Sequence, residues 1–132
     1  MRDVSNLSGV ACPNTTTCTA VGYYKTSSGD ATLVEHWNGT NWSIVTSPDP
    51  SGSIILSLND VACPSTTRCT AVGHYQTSSG DATLVEHWNG THRSIVASPN
   101  PAIATDSNLS GLECRSPTSC TAVGDYRAHA SD

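Results

Sequence analysis

The sequence predicts an all-β protein assembled from copies of one unit, and three observations predict it. Cysteines recur in two columns: Cys12, Cys63 and Cys114 fall 51 residues apart, and so do Cys18, Cys69 and Cys120. Each pair reads Cys-x5-Cys and is followed by Thr-Ala-Val-Gly, which marks an internal repeat. Thr, Val, Ile, Tyr and Trp dominate the apolar segments, Phe is absent, and no stretch shows helical periodicity of useful length. An Asn-Gly step between apolar runs appears at Asn38-Gly39 and again at Asn89-Gly90, the strongest short-range hairpin signal.

The elements follow in order within a single array over 1–132: residues 7–50 are copy one, 58–101 copy two and 109–128 half of copy three. The first hairpin of copy one is Leu7–Cys12, a loop over 13–17, and Cys18–Tyr24. The loop residues Pro13 and Asn14 favour a turn, because Pro presets φ and Asn bonds its own backbone. A cysteine on each side of such a loop sits at a facing cross-strand position, so the expected bridges are Cys12–Cys18, Cys63–Cys69 and Cys114–Cys120. Each closes a short loop worth about 2.4 kcal/mol in the chain-entropy model, and each fixes the hairpin register. Cys-x5-Cys is wider than common zinc spacings, which leaves free thiols and metal as the lesser readings; no metal or other cofactor is expected.

The second hairpin runs Ala31–Trp37, a turn at 38–41, then Trp42–Val45. The strand is stopped by Ser47-Pro48-Asp49-Pro50 in copy one and Ser98-Pro99-Asn100-Pro101 in copy two, because closely spaced prolines cannot continue a ladder. Ala20-Val21 and Leu33-Val34 carry apolar side chains on both faces, so these strands are expected to lie between neighbours. A four-stranded antiparallel sheet covered on both faces and repeated at this period is a β-propeller blade, and the chain holds about two and a half of them. The alternative is a β-trefoil, which needs a complete third copy.

The segment Val-Ala-Cys-Pro-x-Thr-Thr-x-Cys-Thr-Ala-Val-Gly with Leu-Val-Glu-His-Trp-Asn-Gly, and the turn Trp-Asn-Gly-Thr-Asn-Trp-Ser, resemble Asp-box and kelch-like propeller repeats. The likeness is to the cysteine-containing kind found in exported actinobacterial proteins. It covers nearly the whole chain and implies fold and export rather than activity. The residues of a strict Asp-box are not all present, and no arginine triad of a sialidase can be assembled.

Composition narrows function. The net charge is −5 with six scattered Lys plus Arg, which argues against a nucleic-acid partner. No apolar run approaches membrane-spanning length, so no membrane insertion is expected. Paired cysteines point to an oxidising compartment, hence an extracellular or cell-surface location, with no signal sequence in this chain.

Residues 26–40 recur unchanged as residues 77–91. Within them Glu35, His36 and Trp37, with Glu86, His87 and Trp88, are candidate glycan contacts, together with Trp42. The aromatic face packs on a sugar ring while the polar groups bond its hydroxyls. The competing reading makes the Trp residues core and leaves Glu and His at a solvated strand end. Arg93 replaces Trp42 in copy two, so the turns are not equivalent. No nucleophile sits beside a base and orienter, and no catalysis is expected. Three cysteine hairpins but two Asn-Gly hairpins leave unpaired edges and faces. The expected partner is a second copy of the chain or the remainder of a larger propeller. The two functional expectations are a non-enzymatic extracellular module that binds glycans or acts as a surface scaffold, and a self-assembling ring or fibre with no small ligand.

Overall fold

The computed structural model describes residues 5–50, 52, 55–90 and 92–128. Every regular element among them is a β-strand. Strands β1 (Ser5–Asn14), β2 (Thr17–Thr26), β3 (Gly29–Trp37) and β4 (Trp42–Val45) form one sheet in that order. Strands β5 (Leu56–Ala62), β6 (Cys69–Thr77), β7 (Gly80–Trp88) and β8 (Arg93–Val96) repeat it, and β9 (Ala104–Ser116) pairs with β10 (Ser119–Ala128). Among the described residues all pairings are antiparallel between sequence neighbours, so the first two sheets are meanders and the third is a hairpin.

The three sheets stack in chain order. Strand β5 packs on β1, β2 and β3, and β9 packs on β5, β6 and β7. Side chains alternate across a strand, and directly paired residues share a face. One face of the first sheet, with Val21, Val34 and the partly buried Ala11 and Val45, meets Leu58, Val61, Ala71, Leu84 and Trp88 of the second. This is the main core.

Each of the first two sheets is a single four-stranded run in which the two hairpins are joined. Strands β2 and β3 pair from Cys18↔Trp37 to Thr26↔Gly29, and β6 and β7 repeat this from Cys69↔Trp88 to Thr77↔Gly80. The connecting turn is made by Thr26 and Ser28: the Thr26 hydroxyl donates to the Gly29 carbonyl at 2.8 Å and accepts from the Ser28 N–H at 3.1 Å. Thr77 does the same with Gly80 and Ser79. A threonine hydroxyl closing a turn onto its own backbone gives a weaker sequence signal than Asn-Gly. Similarly, β9 begins at Ala104, ahead of the expected start of copy three at residue 109.

The cysteines are joined within each hairpin: Cys12–Cys18, Cys63–Cys69 and Cys114–Cys120. The glycine of Thr-Ala-Val-Gly also has a cause. A Cβ on Gly22, Gly73 or Gly124 would stand 1.8, 1.9 or 1.9 Å from the carbonyl oxygen of Asn6, Ser57 or Asn108 on the preceding strand. The register shifts beside each contact, between Leu7 and Gly9, between Leu58 and Asp60, and between Val123 and Gly124. A bulge brings backbone against backbone where only glycine fits.

Candidate functional site: the joint and groove between the first two sheets

Two features meet where the first sheet covers the second. One is a polar joint built by the segment after β4. Thr32 lies on the inward face of β3, and its N–H donates to Asp49 Oδ1 at 3.2 Å. Its hydroxyl also donates to that oxygen and lies 2.8 Å from Ser47 Oγ. Ser47 in turn donates to Glu86 Oε1 at 2.6 Å. Pro48 and Pro50 flank Asp49 and restrict the segment. The hydroxyls and carboxyls thus line up in a polar row from one sheet to the next.

Glu86 is 0% exposed, and among the described residues its Oε2 has no hydrogen-bond partner. Burial raises its pKa to about 8, a rise opposed by the Ser47 hydrogen bond and reinforced by the nearby Asp49 charge. At neutral pH the acid form therefore prevails, which avoids leaving a buried ion in the joint. The equivalent Glu35 of the first sheet is only half-buried.

The second feature is a groove of about 250 Å³ at the disulfide end of the same interface. The first sheet contributes Thr19, His36 and Ser43, and the second contributes Thr67, Trp88, His92 and Arg93. Among the described residues no cluster of three or more His, Cys, Asp or Glu is placed to hold a metal ion.

The residues singled out in the sequence are distributed between these features. His36 and Trp88 line the groove from different copies. Glu35 and Trp37 share one face of β3 and His36 takes the other, so a Glu-His-Trp triplet does not converge on one point. Trp37 packs against Trp42 with ring centroids 5.6 Å apart, the cross-strand neighbour in the register, and Trp42 is exposed. His87 points toward the third sheet's side and bonds Thr70 Oγ1 through Nδ1 at 3.1 Å. Glu86 belongs to the joint. Sequence reasoning missed Thr32, Ser47 and Asp49. The available signal was the recurrence of Ser-Pro-x-Pro, read only as a strand stop.

Smaller contacts continue the pattern along the stack. Ser8 Oγ donates to the Leu58 carbonyl at 2.9 Å, and one copy on Asn59 Nδ2 donates to the Leu109 carbonyl at 2.8 Å. Asp60 Oδ2 additionally accepts from the Leu112 N–H at 2.9 Å.

No protein-family model, curated protein or solved structure matches this chain.

Proposed function

We propose that this chain is a segment of an exported, non-enzymatic β-propeller that serves as a surface scaffold, its sheets acting as blades that accept further blades at the free ends. One observation carries this reading. Leu7, Val10, Glu35 and Trp37 of the first sheet are the same residues that the second sheet, as Leu58, Val61, Glu86 and Trp88, buries beneath its neighbour. Leu7 and Val10 are open to solvent, which is the behaviour of a stacking surface lacking its cover. The resemblance to Asp-box and kelch-like repeats supports the blade geometry, and the three disulfides fit an oxidising compartment outside the cell.

Sedimentation velocity under non-reducing conditions tests it. Association at micromolar concentration is expected, and Val10→Lys is expected to shift the protein to monomer. A monodisperse wild-type monomer overturns self-association through this face.

A second reading is favoured by the groove. Its indole, imidazole and guanidinium groups suit a sugar ring with hydroxyl or acidic substituents. Glycan-array binding lost in His36→Ala and Arg93→Ala, with the fold retained, supports it. Absence of binding together with concentration-dependent polymerisation favours a pure assembly unit, ring or fibre.

A further inference from the structure

Residues 26–45 of the first copy and 77–96 of the second differ only at the turn, where His92 stands for Asn41 and Arg93 for Trp42. Both replacements line the groove between the first two sheets, and each adds a basic side chain to it. Each wall of that groove belongs to a complete four-stranded sheet. On the first wall, Thr19, His36 and Ser43 are successive cross-strand partners and form one polar row over β2, β3 and β4. On the second, Cys69, Trp88 and Arg93 pair in the same way over β6, β7 and β8. The register therefore sets a guanidinium beside an indole on one wall, and an imidazole between two hydroxyls on the other.

The charge of the groove runs against that of the chain. The chain carries −5, yet the lining residues include one arginine and two histidines and neither Asp nor Glu. Arg93 is exposed, and among the described residues its guanidinium makes no ion pair. Glu86 shares a face of β7 with Trp88, but burial keeps its carboxyl protonated at neutral pH, so it does not cancel the arginine's charge. An unpaired guanidinium in a concave site offers a planar fork that matches a carboxylate. At about 250 Å³ the cavity lies under the roughly 300–1,000 Å³ of drug-sized pockets, which suits one ring rather than a run of them.

We propose that this groove binds a sugar residue bearing a carboxylate. Arg93 holds the acid group, His36 and Ser43 bond ring hydroxyls, and Trp88 supplies the apolar wall. Acidic sugars are a subset of the glycans considered for the groove above, so the assignment rests on that reading.

The probes are methyl glucuronide and methyl glucoside, which differ by a carboxylate against a hydroxymethyl group. Each is titrated at constant ionic strength into isotope-labelled protein and followed through the Trp88 indole N–H. The glucuronide should bind about tenfold more tightly than the glucoside. Arg93→Gln should erase that preference while glucoside binding persists, and Arg93→Lys should restore part of it. Because Arg93 is exposed, amide spectra of both variants should otherwise overlay the wild type. Arg115→Gln removes an exposed charge outside the groove lining and should change neither affinity. Equal binding of the two glycosides, or a preference that survives Arg93→Gln, overturns the inference and leaves the glycan reading standing. Absence of binding by either glycoside overturns both. A response to triglutamate or to inorganic sulfate as strong as that to the glucuronide assigns the groove to anions at large and overturns the sugar.

Discussion

The first and second sheets are close to a controlled experiment, because they share most of their sequence and differ in what lies before them. Leu7 is 47% exposed and its counterpart Leu58 is 0%; Val10 is 59% exposed and Val61 is 4%. Glu35 stays half-buried while Glu86 loses all contact with water. At these positions burial follows place in the stack, whereas Ala20 and Leu33 on the same face are buried in the first sheet just as Ala71 and Leu84 are in the second. Repeat proteins divide their stability into unit terms and neighbour terms, and in this chain the neighbour term is visible residue by residue.

The largest expected test of that contrast is cavity formation. Leu58→Ala should cost about 2–5 kcal/mol in denaturant unfolding, whereas Leu7→Ala should fall within about 0.5 kcal/mol of wild type. Equal losses would mean that the face bearing Leu7 is covered in solution, which would sharpen the association argument.

Glu86 gives the next contrast, and it depends on pH. Its folded pKa of about 8 lies above the ordinary 4.5, so the folded state holds a proton that the unfolded state has released between those values. The contribution is full below about pH 4.5 and is lost progressively as pH rises from there to 8, a change on the order of 5 kcal/mol. Glu86→Gln should remove this slope from a plot of stability against pH, and Glu35→Gln should leave it in place. A slope that survives Glu86→Gln rules out this carboxyl as its source.

Disulfide removal should separate the sheets less. Replacing both cysteines of either bridge by Ala costs about 2.4 kcal/mol through loop entropy. Loss of Cys63–Cys69 should exceed loss of Cys12–Cys18, because Cys69 is buried in the core and Cys12 is exposed. Calorimetry of the two double variants gives the comparison. The smallest effect concerns Lys25 and Asp30, 3.2 Å apart at the surface; the second sheet has Gln76 at the position of Lys25. Lys25→Gln should change stability by no more than about 0.5 kcal/mol, judged from the same melts.

What was legible in the sequence was local. The cysteine hairpins and Asn-Gly turns announce themselves within a few residues, since φ constraints and short loops act at that range. The turn at Thr26 was less visible because a threonine hydroxyl, not an Asn-Gly step, closes it. The joint was not legible at all. Glu35 and Glu86 sit in identical segments, so no local rule assigns one to a partly wet surface and the other to a dry interface. Ser47 and Asp49 gain meaning only once a neighbouring sheet brings a carboxyl within reach. The groove is equally non-local, with His36 and Trp88 contributed by separate copies.

The Ser47-to-Glu86 hydrogen bond spans a copy boundary, with the donor written in one copy and the acceptor in the next. Duplication of a whole unit therefore inherits a matched lock and key on both sides, and no compensating change is needed at the seam. Lengthening or shortening such an array by entire units preserves this contact between complete sheets, whereas a partial insertion misaligns the seam it enters.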